Sequence, residues 1–267
     1  MSLKELFKKY KSDKYYHNYH EIYEPFLKHL RKKKLNILEI GVSDGASIKA
    51  WSNYFKNSKI IGIDIKKINI KKKKLFRKNI IIHQGSQSDK KFIDYIIKKY
   101  KKFDIIIDDG SHYPKDVIKS FKLLFNSLSM RGLYFVEDTQ TSYNHFFGGN
   151  PFDLKYANTQ INFFKNVSDS LNYKEIANPF YKKNSYDGLI KSVSFFNNMI
   201  VINKNYNNID SNLVENNSYE NKRYNTKVKR DKSKVFQYYI KYKILFKSYT
   251  LFLLLINLFK KIILIRF

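Results

Sequence analysis

The chain has no cysteine, which excludes a disulfide scaffold, a thiolate zinc site and a cysteine nucleophile. Acidic residues are scarce, 23 against 51 basic ones, for a formal net charge of +28. Arginine is scarcer still, confined to positions 31, 77, 131, 223, 230 and 266, so nearly all of the positive charge is lysine. Nucleic-acid readers lean on the planar, bidentate arginine fork. The charge therefore argues only weakly for RNA or DNA, and it fits an anionic lipid surface or a phosphorylated substrate equally well. Long apolar runs are missing too. In the apolar C-terminal region the longest charge-free stretch is Ser248–Phe259, twelve residues, short of the about 20 that a membrane-spanning helix needs. The first residues, MSLKELFKKYKSDKYY, lack the apolar core of a secretory signal, and the cytoplasm is the expected location.

What is present suits one α/β domain with appendages, and 267 residues are enough to bury a sizeable core. Residues 1–34 read as a helical cap, with Leu3, Leu6, Phe7, Tyr19, Ile22, Tyr23, Phe26, Leu27 and Leu30 at helix-like spacings. Residues 35–203 alternate short apolar runs with amphipathic stretches. The runs are Leu35–Ile40, Ile60–Ile65, Ile80–His83, Phe103–Ile107 and Leu133–Val136; helices are expected near 47–56, 89–101, 114–128 and 155–172. Fully apolar strands between helices predict a mostly parallel, Rossmann-like α/β sheet covered on both faces. Lys191–Phe196 and Met199–Asn203 flank Asn197-Asn198, a tight-turn pair, and predict a terminal antiparallel hairpin. Residues 204–233 are polar and aperiodic, the expectation being a flexible linker. Residues 234–267 read as a basic amphipathic helix, either lying in an anionic membrane interface or packing on protein.

The chemistry concentrates at strand ends. Ile37-Leu-Glu-Ile-Gly-Val-Ser-Asp-Gly45 runs an apolar strand into Glu39, then Gly41 and Gly45 before a helix. Glycines there let the backbone turn sharply and approach a ligand. The E-x-G-x-x-x-G spacing points to S-adenosylmethionine rather than a pyrophosphate; an ordinary β–α turn is the bland alternative. Asp64 closes the next strand, placed to accept hydrogen bonds from ribose hydroxyls. Gln87, Ser88 and Asp89 follow the third strand, at adenine or simply as a cap for the next helix. Asp108-Asp109-Gly110-Ser111-His112 and Glu137-Asp138 end two further strands. Asp109, Glu137 and Asp138 in one crevice repel unless a cation sits between them, and oxygen-only ligands suit magnesium. His112 is placed to act as a general base. Helix capping or loop bracing is the alternative for any one of these acids.

These residues resemble class I methyltransferases that act on sugar hydroxyls, especially the mycinamicin-type macrolide-sugar O-methyltransferases, with the cephalosporin hydroxylase-type group more distant. The resembling stretches are Ser12-Asp-Lys14, His17-Asn-Tyr19 with Tyr23, Leu38–Val42, Gly85–Asp89, Ile107–His112, and Val136–Tyr143 followed by Gly148-Gly149. The resemblance implies Mg2+-dependent methyl transfer from S-adenosylmethionine to a sugar hydroxyl. It implies Asp109, Glu137 and Asp138 as metal ligands, with His112 and Asp109 catalytic. Glu39, Gly41, Gly45, Asp64, Gln87, Ser88, Asp89 and Asp108 would hold the cofactor. Asp13, Lys14, His17, Tyr23, Gln140 and Tyr143 would face the acceptor. The acceptor is expected to be a sugar of a surface glycan or glycoconjugate, lipid- or nucleotide-linked. RNA methylation and a catalytically silent membrane-associated binding protein are the competing readings; a homo-oligomer is left open.

Overall fold

The apolar runs become strands because a parallel sheet between two helical layers leaves neither face to water. The structure, a computed structural model, describes residues 1–68, 78–176, 181–207 and 241. Seven strands form one sheet: β1 (Asn36–Ile40), β2 (Lys59–Asp64), β3 (Ile80–Gln84), β4 (Phe103–Asp108), β5 (Leu128–Glu137), β6 (Ile190–Phe196) and β7 (Met199–Lys204). Their order is β3-β2-β1-β4-β5-β7-β6. The first five are parallel; β7 pairs antiparallel with both β5 and β6. This is the expected α/β architecture with its terminal hairpin, and Asn198 takes the left-handed turn conformation at φ 57°.

Strand alternation splits the core into two layers. Ile37, Ile60, Ile105, Ile107, Leu133, Phe135, Met199 and Val201 face α1 (Leu3–Tyr10), α2 (Tyr19–Leu27) and α3 (Ala46–Tyr54). Leu38, Ile61, Ile63, Ile106, Tyr134, Val136, Ile200 and Ile202 face α4 (Lys90–Tyr100), α5 (Pro114–Leu124) and α6 (Gln160–Val167). The N-terminal helices are thus part of the core: Leu3, Leu6, Phe7, Tyr19, Tyr23 and Leu27 are all buried there with Trp51.

The elements differ from the sequence expectation in two places. The helix expected to reach 128 ends at Leu124, and β5 begins at Leu128 rather than Leu133. Phe125 and Leu128 continue the helical spacing of apolar residues, but Leu128 pairs with Phe103 across an irregularity in the β4–β5 ladder. The helix expected over 155–172 starts at Gln160, where the Thr159 side chain accepts from Asn162 N–H at 3.2 Å.

One compact unit takes in Met1–Leu171 and resumes at Ser185; a second includes Asn172–Asn184, in which the Lys183 ammonium lies 5.1 Å over the Tyr173 ring. Lys204, expected to open the linker, is instead the buried last residue of β7, its ammonium donating to the Phe125 and Leu128 carbonyls. The rest of the expected linker beyond residue 207, and the basic helix expected over 234–267 apart from Lys241, lie outside the described residues. No described helix is long and apolar enough to cross a membrane.

Candidate active site

The sheet brings the acidic residues together through register. Ile40 is paired with Asp108, and Asp108 with Val136, so the carboxyl ends of β1, β4 and β5 lie side by side. Ligand crevices of open α/β sheets form at such carboxyl ends. The β1–β4 ladder runs one bond further, from Asp109 N–H to the Ile40 carbonyl at 3.0 Å. There Gly41, at φ +85°, passes so close that an added Cβ would stand 2.0 Å from the Asp109 carbonyl oxygen. Only glycine permits this crossing of the two loops.

Asp109, Glu137 and Asp138 meet residues from the N-terminal segment. The Lys14 ammonium is 2.8 and 2.7 Å from Oε1 and Oε2 of Glu137 and bonds Oδ2 of Asp109 as well. The Tyr23 hydroxyl donates to Glu137 Oε1, and the Tyr19 hydroxyl to Asp138 Oδ1 at 2.7 Å. His112 Nδ1 lies 3.6 Å from Asp138 Oδ2. One ligand atom each from Asp109, His112 and Asp138 all fall within 4.8 Å of one another. That is a donor set of the kind that fits one divalent ion.

Both His112 (φ 60°) and Asp138 (φ 53°) sit in the left-handed region, which non-glycine residues rarely adopt. Their carbonyls are held together: Thr141 Oγ1 is 2.8 Å from the His112 carbonyl and 2.9 Å from that of Asp138, and the Gln160 amide reaches the Asp138 carbonyl at 3.2 Å.

Electrostatics mark the same place. Burial opposes the charge on Lys14, but the carboxylates of Asp109 and Glu137 outweigh it and hold the ammonium well above its ordinary range. Burial and the neighbouring Asp109 push the Glu137 carboxyl up, against the pull of Lys14.

The glycine turn is built as the sequence suggests. Asp64 Oδ2 accepts from Val42 and Ser43 N–H at 2.9 Å each, and Oδ1 from Lys66 N–H at 2.7 Å. A carboxylate has room for about four hydrogen bonds, so Asp64 ties the loop and keeps acceptor capacity for a ligand hydroxyl. Gly45, at φ +85°, opens α3. Glu39 is fully buried; Trp51 Nε1 donates to its Oε1 at 2.9 Å, while Oε2 has no hydrogen-bond partner among the described residues. Burial raises the Glu39 carboxyl to about 7. An orphaned buried oxygen beside a glycine cradle is a fitting place for a polar ligand.

Other expected residues are placed differently. Asp108 is buried, accepting from Gln87 Nε2 at 3.0 Å, from the Tyr134 hydroxyl at 3.1 Å and from Ser120. It thus points toward α5 rather than into the crevice. Gln87 also accepts from Ser111 N–H at 2.7 Å, bracing the loop that carries Asp109 and His112. Asp89 caps α4 through Lys91 N–H at 2.9 Å, and the Ser88 hydroxyl contacts that of Ser86 at 3.2 Å. Asp13 and His17 are exposed, as are Gln140 and Tyr143; the Phe147 ring meets the His112 ring edge-on at 6.5 Å. Lys14, expected at the acceptor, is 1% exposed and locked in the acidic cluster.

Nothing in the sequence singles out Trp51, Thr141 or Gln160, and Tyr19 stands out only by helical spacing and family likeness. Their roles depend on contacts with no local signature. The capped start of α6 is the one signal near Gln160.

The family described as FtsJ-like methyltransferase matches residues 7–168. Mycinamicin VI 2''-O-methyltransferase of Micromonospora griseorubida is 31% identical over 193 residues, covering 69% of this chain and 47% of the relative. A Streptomyces olivaceus protein named 8-demethyl-8-alpha-L-rhamnosyl tetracenomycin-C 2'-O-methyltransferase is 33% identical over 172 residues, covering 61% of this chain and 44% of the relative. The solved structure of MycE methyltransferase from the mycinamycin biosynthetic pathway, in complex with Mg and SAH, superposes with a TM-score of 0.73 at 28% identity, covering 79% of this chain and 56% of that one. The chain spans about half the length of the curated relatives it matches.

Proposed function

The chain belongs to the FtsJ-like methyltransferase family, and on that premise we propose that it transfers methyl from S-adenosylmethionine to a sugar hydroxyl with the help of Mg2+. The observation that carries this reading is the convergence of Asp109, His112 and Asp138 within 4.8 Å, beside the glycine turn. The solved MycE complex contains Mg and SAH, and the Streptomyces olivaceus relative is named for a rhamnosyl compound, which supports the ion, the cofactor and the acceptor class.

When bound, S-adenosylmethionine supplies a methyl group on a sulfonium, and a divalent ion lowers the pKa of a coordinated hydroxyl. Asp109 and Asp138 of that cluster would hold the ion, with Glu137, which lies outside the cluster and is bonded by Lys14 and Tyr23, as the third carboxylate; His112, the cluster's remaining member, is kept for the proton. Glu39, the Gly41–Gly45 turn and Asp64 would hold the cofactor. His112 accepts the proton of the acceptor hydroxyl; its ring is oriented by Asp138 at 3.6 Å and its backbone by Thr141. Tyr19 and Tyr23 fix the carboxylates of Asp138 and Glu137, so the residues that act on the hydroxyl need little rearrangement. Tyr143, Phe146, Phe152 and Leu154, all exposed beyond Asp138, give the acceptor side an apolar rim.

The acceptor we propose is a sugar of a surface glycan or glycoconjugate, carried on a lipid or nucleotide, and handled in the cytoplasm or at the inner membrane face. The test is S-adenosylhomocysteine release by the purified protein across a panel of rhamnosides, nucleotide sugars and lipid-linked sugars. Mg2+-dependent release with at least one sugar is expected. Failure to bind S-adenosylmethionine in calorimetry would overturn the reading.

A further inference from the structure

Lys14 reaches its partners from the turn Asp13–Tyr15, across 95 residues to Asp109 and 123 to Glu137. An ammonium has three donors, and all three are spent: one on Asp109 Oδ2 and two on the oxygens of Glu137. Tyr23 adds a further donor to Glu137, and neither group is exposed to water. Lys14 therefore has no hydrogen left for a substrate, and Glu137 is bound by two residues of the N-terminal segment before any ion arrives. The carboxylates that a divalent ion would draw on are the ones that hold this segment down.

We propose that Lys14 is a positioning residue, a built-in cation that competes with the divalent ion for Asp109 and Glu137. It keeps the acidic cluster folded and partly neutral, and it weakens ion binding so that the ion is exchangeable rather than resident. The proposal rests on the divalent-ion reading given above. Its physical basis is simple. Without Lys14 the buried Glu137 carboxylate and the half-buried Asp109 and Asp138 are left uncompensated, which favours any cation that enters. With Lys14 in place, an incoming ion meets a like charge a few ångströms away or must displace it.

The test is Mn2+ binding to the full chain, followed by electron paramagnetic resonance and calorimetry, in the parent protein, Lys14→Met and Lys14→Arg. Removing the charge in Lys14→Met is expected to tighten Mn2+ binding by about tenfold or more. Lys14→Arg, which keeps a cation, should stay within about threefold of the parent. A folded Lys14→Met protein that binds Mn2+ no tighter than the parent overturns the role of Lys14 and leaves the ion reading standing. Absence of Mn2+ binding in every form, with S-adenosylmethionine still bound, overturns both. If Lys14→Met folds only with Mn2+ present, by circular dichroism, the competition is supported directly. Lysine-selective 15N NMR of the parent gives an independent readout. The protected Lys14 ammonium signal should shift or vanish on saturation with Mg2+, and an unchanged signal overturns the proposal.

Discussion

Asp108 and Asp109 are consecutive residues at the end of β4, and their carboxylates serve opposite layers of the sheet. Asp108 is satisfied by Gln87, Ser120 and Tyr134 on the α5 side; Asp109 is bonded by Lys14 on the N-terminal side. Burial raises both carboxyls, Asp108 to about 6. Substituting the two should therefore separate stability from chemistry. Asp108→Asn turns an amide toward two hydroxyl donors and should cost about 1–3 kcal/mol of stability while leaving the Mg2+ dependence of turnover intact. Asp109→Asn should lower Mg2+-dependent turnover by about a hundredfold or more, on the scale of a lost ligand contact. Urea unfolding and methyl-transfer assays on both variants check this; the reverse pattern would reassign the two aspartates.

Glu39 gives a pH dependence with a definite sign. Its carboxyl rises from 4.5 to about 7 through burial, so the folded chain binds this proton more tightly than the unfolded chain. The contribution to stability is full below pH 4.5 and is lost as pH rises through about 7. Glu39→Gln should remove that loss and gain up to about 3 kcal/mol over the parent at alkaline pH. The same variant should bind S-adenosylhomocysteine more weakly. Denaturation as a function of pH, with calorimetry, measures both.

In the proposed reaction His112 takes the proton. His112→Ala should reduce turnover by about a hundred- to ten-thousandfold, the range of a general base, with S-adenosylmethionine affinity unchanged. Loss of cofactor binding in this variant would argue instead that His112 supports the loop that carries Asp109.

Gly41 is the tightest backbone crossing near the site. Gly41→Ala would drive a Cβ to 2.0 Å from the Asp109 carbonyl at a φ that alanine disfavours. A destabilisation above about 2 kcal/mol is expected, together with loss of S-adenosylhomocysteine binding. Thermal melting and calorimetry decide; a variant with parental stability would mean the loops separate easily.

Much of the fold was legible because its signals are local. Apolar runs at Ile37, Ile60 and Phe103 are hidden on both faces, as a parallel sheet requires, while the run at Ile80 forms the half-buried edge strand, and the glycines at 41 and 45 have the positive φ that such a turn demands. The strand ends that carry Asp64, Asp109, Glu137 and Asp138 follow from those runs. The start of β5 at Leu128 did not, since Phe125 and Leu128 fit a helical spacing equally and only pairing with Phe103 decides between them.

The sequence by itself determined the strands, the glycine turn and the acids at the carboxyl edge, since each depends on a few consecutive residues. Only the tertiary structure decided that Asp109 rather than Asp108 enters the crevice. It also turned Gln87 into a brace for Asp108, put the Trp51 indole on Glu39 and buried Lys14 between Asp109 and Glu137. Those outcomes depend on which side chains share a low-dielectric space, and that is set by chain segments up to 123 residues apart.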